Sequence, residues 1–170
     1  LGAWVGACAA LLGGGLILAL MSDVRIASEA ASFTTVFLKR GLVAEHGATW
    51  VLPRLVGPGR ALDLLWTSDR IDAASAREIG LVECVVPADE LVEAARAYVR
   101  RLAEAAPPAA MAESKRMVYG HLGTDLPTAL REAEAVQNRF VTGPDAVEGA
   151  RAFVEKRAPR FRRLGDRGAP

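Results

Sequence analysis

Gly13-Gly14-Gly15 stands directly before the apolar run Leu16-Ile17-Leu18-Ala19-Leu20-Met21, and this is where the chain can do chemistry. Glycines at a helix start can aim bare backbone amides at an anion. With no side chain at Gly14, an acyl group can approach the main chain closely, and the positive end of a helix dipole favours negative charge there. Further along, Glu45-His46-Gly47 places a carboxylate and an imidazole on a loop or at a helix start. A carboxylate there can also serve as a plain helix cap. His46 could orient or share a proton with Glu45, whereas His121 has no partner pattern, and a lone histidine is more often a surface or core group than a catalyst. Serine-hydrolase elbows, Walker loops and paired-cysteine metal motifs have no counterpart in the sequence.

The elements that must position these residues follow from periodicity and punctuation. Residues 16–21 predict a buried helix and residues 24–28 a strand beside it, and a helix feeding a strand implies a layered α/β arrangement. Gly41 breaks the segment before the Glu45 turn. Residues 49–55 and 58–66 predict helices, the second opening on Pro58. Asp72 is placed to cap a helix over 73–79, Gly80 to end it in the left-handed conformation, and residues 81–86 to form a strand. From Ala88 the pattern is helical throughout, with apolar positions three and four residues apart up to Pro107 and Pro108. Further helices are expected over 109–119, 127–141 and 144–156. Residues 158–170, with Arg160, Arg162 and Arg163, have the composition of a solvated charged tail.

Composition bounds the rest. At 170 residues and 51% hydrophobic content the chain can bury one good core. Its 21 Lys and Arg nearly balance 20 Asp and Glu, so no global field attracts nucleic acid or an acidic membrane. Cys8 and Cys84 fit neither a metal motif nor a disulfide framework, which predicts buried thiols and a cytoplasmic setting. Residues 1–22 lack any charged side chain, yet five glycines interrupt the run and no basic flank precedes it, so a buried core segment is expected rather than a membrane span.

Several ordered motifs together resemble the crotonase (enoyl-CoA hydratase/isomerase) superfamily: the glycine-led stretch ending Asp23-Val24-Arg25-Ile26-Ala27, then Gly41-Leu42-Val43-Ala44-Glu45-His46-Gly47, Leu52-Pro53-Arg54-Leu55-Val56-Gly57, Arg70-Ile71-Asp72-Ala73, Ala76-Arg77-Glu78-Ile79-Gly80-Leu81-Val82 and Phe153-Val154-Glu155-Lys156-Arg157. The resemblance implies a crotonase-like α/β fold with a layered β-β-α core over residues 1–86, incomplete at its N-terminus, a helical trimerisation part over 87–157, and the basic tail. It also implies a preceding N-terminal portion carrying several strands and the second of two oxyanion-binding amides. Consistent with this, the chain opens on leucine, and Gly6-Ala7-Cys8-Ala9 is similar to the start of the glycine loop in some relatives, with three extra residues before Asp23.

The same resemblance assigns roles. Gly14 matches one oxyanion amide. The two hydratase glutamate positions fall on Ile17 and Phe37, neither able to relay a proton, while Glu45 matches a position where isomerase-type relatives place an acid. Many relatives carry glycine where His46 stands. Lys156 matches a contact to coenzyme A, and Leu38, Leu42 and Trp50 could line an acyl pocket, although apolar residues so spaced are usually core. The implied protein acts on acyl-CoA as a homotrimer or homohexamer, with coenzyme A entering as part of the substrate and no permanently bound cofactor or metal. Double-bond isomerisation fits better than hydration. The alternative is a non-catalytic truncated member acting only in subunit assembly.

Overall fold

The computed structural model describes residues 5–8 and 11–163. The chain divides into two compact units, one over residues 4–98 and the other built from residue 99 onward.

Among the described residues the first unit carries six strands, β1 (Val5–Cys8), β2 (Leu11–Leu12), β3 (Val24–Ser28), β4 (Ser32–Thr34), β5 (Ile71–Asp72) and β6 (Cys84–Val86). They form two small sheets. In one, β3 lies between β1 and β6 and runs parallel to both, Val5 facing Val24 and Ile26 facing Cys84. In the other, β4 pairs parallel with β2 and antiparallel with β5. Between the strands lie α1 (Gly14–Leu20), α2 (Ala48–Val56), α3 (Pro58–Thr67) and α4 (Ala73–Glu78). This is the layered α/β arrangement that the residue pattern predicts.

A single apolar cluster joins these layers. Ile17 and Leu20 of α1, Phe33 of β4, Leu52 of α2, Leu64 and Leu65 of α3 and Leu81 are all buried in it. Each such side chain contributes roughly 1.5–3 kcal/mol relative to exposure. The helices end where local chemistry dictates. Pro58 opens α3, and Ser68 closes it in the left-handed region, its amide donating to the Leu64 carbonyl. The Asp72 carboxylate accepts the Ser75 amide at 2.8 Å, which holds its carboxyl below the usual range. Gly80 does take a left-handed φ of 78°. The strand expected over 81–86 is shorter, because the Leu81 and Val82 amides turn back to the Ala76 carbonyl and close α4.

One charged residue sits inside this core. Arg25, on the central strand β3, is 3% exposed and fully engaged: Nε donates to the Leu81 carbonyl at 2.8 Å, one terminal nitrogen donates to the Ser22 carbonyl at 2.6 Å, and the other pairs with Glu83. Glu83 in turn donates its amide to the Arg25 carbonyl at 2.9 Å. A buried guanidinium is tolerable only when its donors are satisfied in this way. It fixes the approach to β6.

α5 (Leu91–Ala105) carries the chain across the division. Beyond it come α6 (Pro108–His121), α7 (Leu126–Phe140) and α8 (Pro144–Val154), close to the helices predicted, although α8 stops two residues before 156. Asp125 caps α7 by accepting the Thr128 amide at 3.0 Å. Glu132 of α7 accepts from Arg116 at 2.6 Å and lies 3.1 Å from the ring of His121. That gives His121 the partner its sequence neighbourhood does not reveal. Among the described residues no helix is long and apolar enough to cross a membrane, and no cluster of metal-ligating side chains occurs.

The described part of the expected tail is not simply solvated. Arg157 donates twice to Glu148, at 2.6 and 3.0 Å, the Arg160 amide donates to the same carboxylate at 2.8 Å, and the Arg162 amide donates to Asp145 at 3.0 Å. Main-chain donors at 160 and 162 thus strap the segment along α8. Arg157, and then the Arg160 amide, pull the Glu148 carboxyl down from 4.5 to about 2. A carboxylate depressed on folding stabilises the strap fully above its unfolded pKa and loses that contribution as pH falls through the folded value. Exchange protection of the Arg160 amide should therefore persist at pH 5 and disappear as pH approaches about 2. Hydrogen-exchange NMR checks this, and an unprotected amide at pH 5 would contradict it.

Candidate active site

The site is built on a turn that only glycine accepts comfortably. Gly13 follows β2, donates its amide to the Thr34 carbonyl at 3.1 Å, and holds φ 53° and ψ −120°. That places the next residue, Gly14, at the start of α1. The first helical bond runs from the Ile17 amide to the Gly13 carbonyl, so the amides of Gly14, Gly15 and Leu16 precede the helical ladder. Ile17 itself is wholly buried in the core.

Across from Gly14 lies the segment after β4, also under strain. Val36 has a φ of 54°, an outlier for a β-branched residue. It is held there by buried threonines on its N-terminal side: Thr34 donates to the Ser68 carbonyl and Thr35 to the Leu64 carbonyl, both at 2.9 Å. A short 3-10 turn, Leu38–Arg40, and left-handed Gly41 then bring the chain round to Glu45.

Gly13, Gly14, Val36, Phe37, Arg40, Leu42 and Glu45 line an open cavity of about 240 Å³. The structure thus brings Gly14 and Glu45 to one place. Glu45 is half exposed, and its carboxylate does not cap the following helix: α2 opens on Gly47 without a side-chain cap, and the Glu45 contribution is its carbonyl, which accepts the Ala48 amide at 3.0 Å. The carboxylate is left facing His46, whose Nε2 lies 3.5 Å away. His46 adopts a φ of 55°, a backbone state in which glycine is unstrained. Its ring packs on the bare face of Gly14, where an added Cβ would lie 3.3 Å from Cδ2.

Of the expected acyl-pocket residues only Leu42 lines the cavity. Trp50 is exposed and stacks against the Arg54 guanidinium, 3.9 Å from the ring centroid, and Leu38 lies outside the cavity. Phe37 is buried and forms one wall. Lys156 belongs to the other unit, where it is exposed in a left-handed turn just past α8 rather than within the helix. Cys84 is partly buried, and the Cys8 side chain lies outside the described residues. Sequence reasoning missed Arg40. No sequence signal marks it, because what sets it apart from its neighbour Lys39, which pairs with Asp69 at 2.8 Å, appears only in the fold.

The pattern of the enoyl-CoA hydratase/isomerase family matches residues 5–164. The chain belongs to that family. A probable enoyl-CoA hydratase of Rhodobacter capsulatus is 37% identical over 152 residues, covering 89% of this chain and 59% of the relative. The mouse mitochondrial enoyl-CoA hydratase domain-containing protein 2 is 37% identical over 155 residues, covering 88% and 52%. The crystal structure of enoyl-CoA hydratase from Bacillus anthracis superposes with a TM-score of 0.86 at 38% identity, over 89% of this chain and 58% of that one. The fold is therefore crotonase-like, and the chain spans between half and three fifths of the length of these relatives.

In this member of the enoyl-CoA hydratase/isomerase family the Gly13 turn sets the cavity wall. A Cβ at Gly13 would meet Val36 Cγ2 at 3.2 Å in a backbone state already unfavourable to it. Gly13→Ala should destabilise the protein by about 1–3 kcal/mol. Gly59→Ala, where a Cβ meets nothing within 4 Å, should be neutral or stabilising by up to about 1 kcal/mol. Denaturant unfolding of both variants checks the contrast.

Proposed function

We propose that the protein moves the double bond of an enoyl-CoA thioester rather than hydrating it. The observation that carries this is the shared cavity: Gly14 and Glu45 line it together, with Phe37 as its apolar wall. The Glu45 carboxylate removes a proton from the carbon beside the thioester carbonyl, the electron pair moves into the carbonyl, and the resulting oxyanion takes a hydrogen bond from the Gly14 amide. The same carboxyl then returns its proton at the far end of the conjugated system, so the double bond shifts with no net change in composition. Hydration would need a second acid/base, and the two places where hydratases carry glutamate hold Ile17 and Phe37.

The remaining parts of this reading concern the complete protein. Coenzyme A enters as part of the substrate, with no permanently bound cofactor, and Lys156 meets one of its phosphates as a point charge. The protein works in the cytoplasm as a homotrimer or homohexamer. Exposed Phe153 and Val154 on α8, and Leu126 and Leu130 on α7, support association, because such residues favour burial against a partner. They equally support the second reading, a non-catalytic member that serves only in subunit assembly.

Turnover separates the two. With a 3-enoyl-CoA the complete protein should produce the 2-enoyl isomer, and Glu45→Gln should lower kcat by roughly 10²- to 10⁴-fold with a smaller change in KM. Equal activity in the variant, or water addition as the main reaction, would overturn the isomerase reading.

A further inference from the structure

Arg40 has no role in that chemistry, yet it lines the same cavity as Gly14 and Glu45. Arg40 is exposed, and among the described residues its guanidinium makes no hydrogen bond and no ion pair, whereas Lys39 pairs with Asp69, Arg54 with Trp50, and Arg70 with the Ser32 hydroxyl. Apart from Glu45, the residues around it are glycine and apolar side chains, Val36, Phe37 and Leu42. An unpaired cation at the rim of a cavity whose other charged lining residue is the Glu45 carboxylate favours a ligand that brings its own negative charge. A guanidinium prefers a planar carboxylate, which it can grip with two parallel hydrogen bonds.

We propose that Arg40 selects acyl groups that carry an anionic carboxylate of their own, so that the preferred substrate is the thioester of a short dicarboxylic enoic acid. This rests on the thioester reading of the same cavity. Arg40 lines the same cavity as Gly14 and Glu45, which puts the anion on the acyl portion near the reacting carbons rather than on the distant nucleotide phosphates of the carrier.

Binding to the complete protein can be measured by calorimetry with three probes: a short enoyl-CoA ending in a carboxylate, an enoyl-CoA of equal length ending in a methyl group, and the carboxylate-ended acyl group on pantetheine, which lacks the nucleotide phosphates. Wild type should prefer the first probe to the second. Arg40→Leu should weaken the first and third by roughly ten- to a hundredfold and leave the second within about twofold, and Arg40→Lys should recover part of the loss. Weakening of both coenzyme A probes with the pantetheine probe unchanged would place the anion on the carrier and overturn the proposal. Equal affinities in wild type and Arg40→Leu for all three would overturn it as well. If wild type binds none of them, the thioester reading falls and takes this one with it, an outcome distinct from a loss of selectivity alone.

Discussion

The site depends on the turn at Gly13. Its backbone, with φ 53° and ψ −120°, lies where side chains are excluded, and its amide is tied to the Thr34 carbonyl at the end of the β2–β4 pairing. Those two conditions end the strand and start α1 at once. The first amides of the helix thereby precede the ladder, and Gly14 lines the cavity with the His46 ring packed on its bare face. Any residue with a Cβ at position 13 would press on Val36, and the two walls of the cavity are joined by the bond from the Gly13 amide to the Thr34 carbonyl.

The opposite wall is held by buried polar bonds as well as by the apolar packing of Phe33 and Phe37. Thr34 and Thr35 are anchored to carbonyls at the end of α3, and Thr35 also lies 3.3 Å from the Ser68 hydroxyl. Such bonds contribute modestly when made and cost more when one partner is lost. They fix where the chain must be when it reaches Val36 and forces that residue into a left-handed state. The site therefore contains two strained non-glycine residues, Val36 and His46, flanking the cavity and Gly14. Strain of this kind persists only where the surroundings over-determine it. Here the determinants are hydrogen bonds on one side and the left-handed Gly47 turn on the other.

Much of the architecture was legible because its signals are local. The Asp72 cap, the Gly80 stop and the prolines that open α3, α6, α7 and α8 are short-range chemistry, and they set boundaries to within a residue or two. The end of α4 was harder, since Leu81 and Val82 are as apolar as strand residues but spend their amides on the Ala76 carbonyl. Strands β1 and β2 sit in an uncharged run whose periodicity does not separate strand from buried helix. At the site, Gly14 stood out through its glycine neighbours and Glu45 through its family motif. Arg40 did not, because what distinguishes it is a missing partner, and partners of surface cations come from folding: Lys39 finds Asp69 thirty residues away. His121 and Glu132 were invisible for the same reason, being joined across α6 and α7.

The account stands or falls on the Gly14 N–H. An isotope-edited infrared spectrum of a ¹³C-carbonyl thioester bound to the complete protein reads that hydrogen bond directly. The carbonyl band should lie below its position in water, should return most of the way in Gly14→Pro, which removes the N–H at a first-turn position, and should stay low in Gly14→Ala, which sets the same Cβ against His46 but keeps the N–H. A bound carbonyl with an unshifted band, or the same shifted band in wild type and Gly14→Pro, would contradict it.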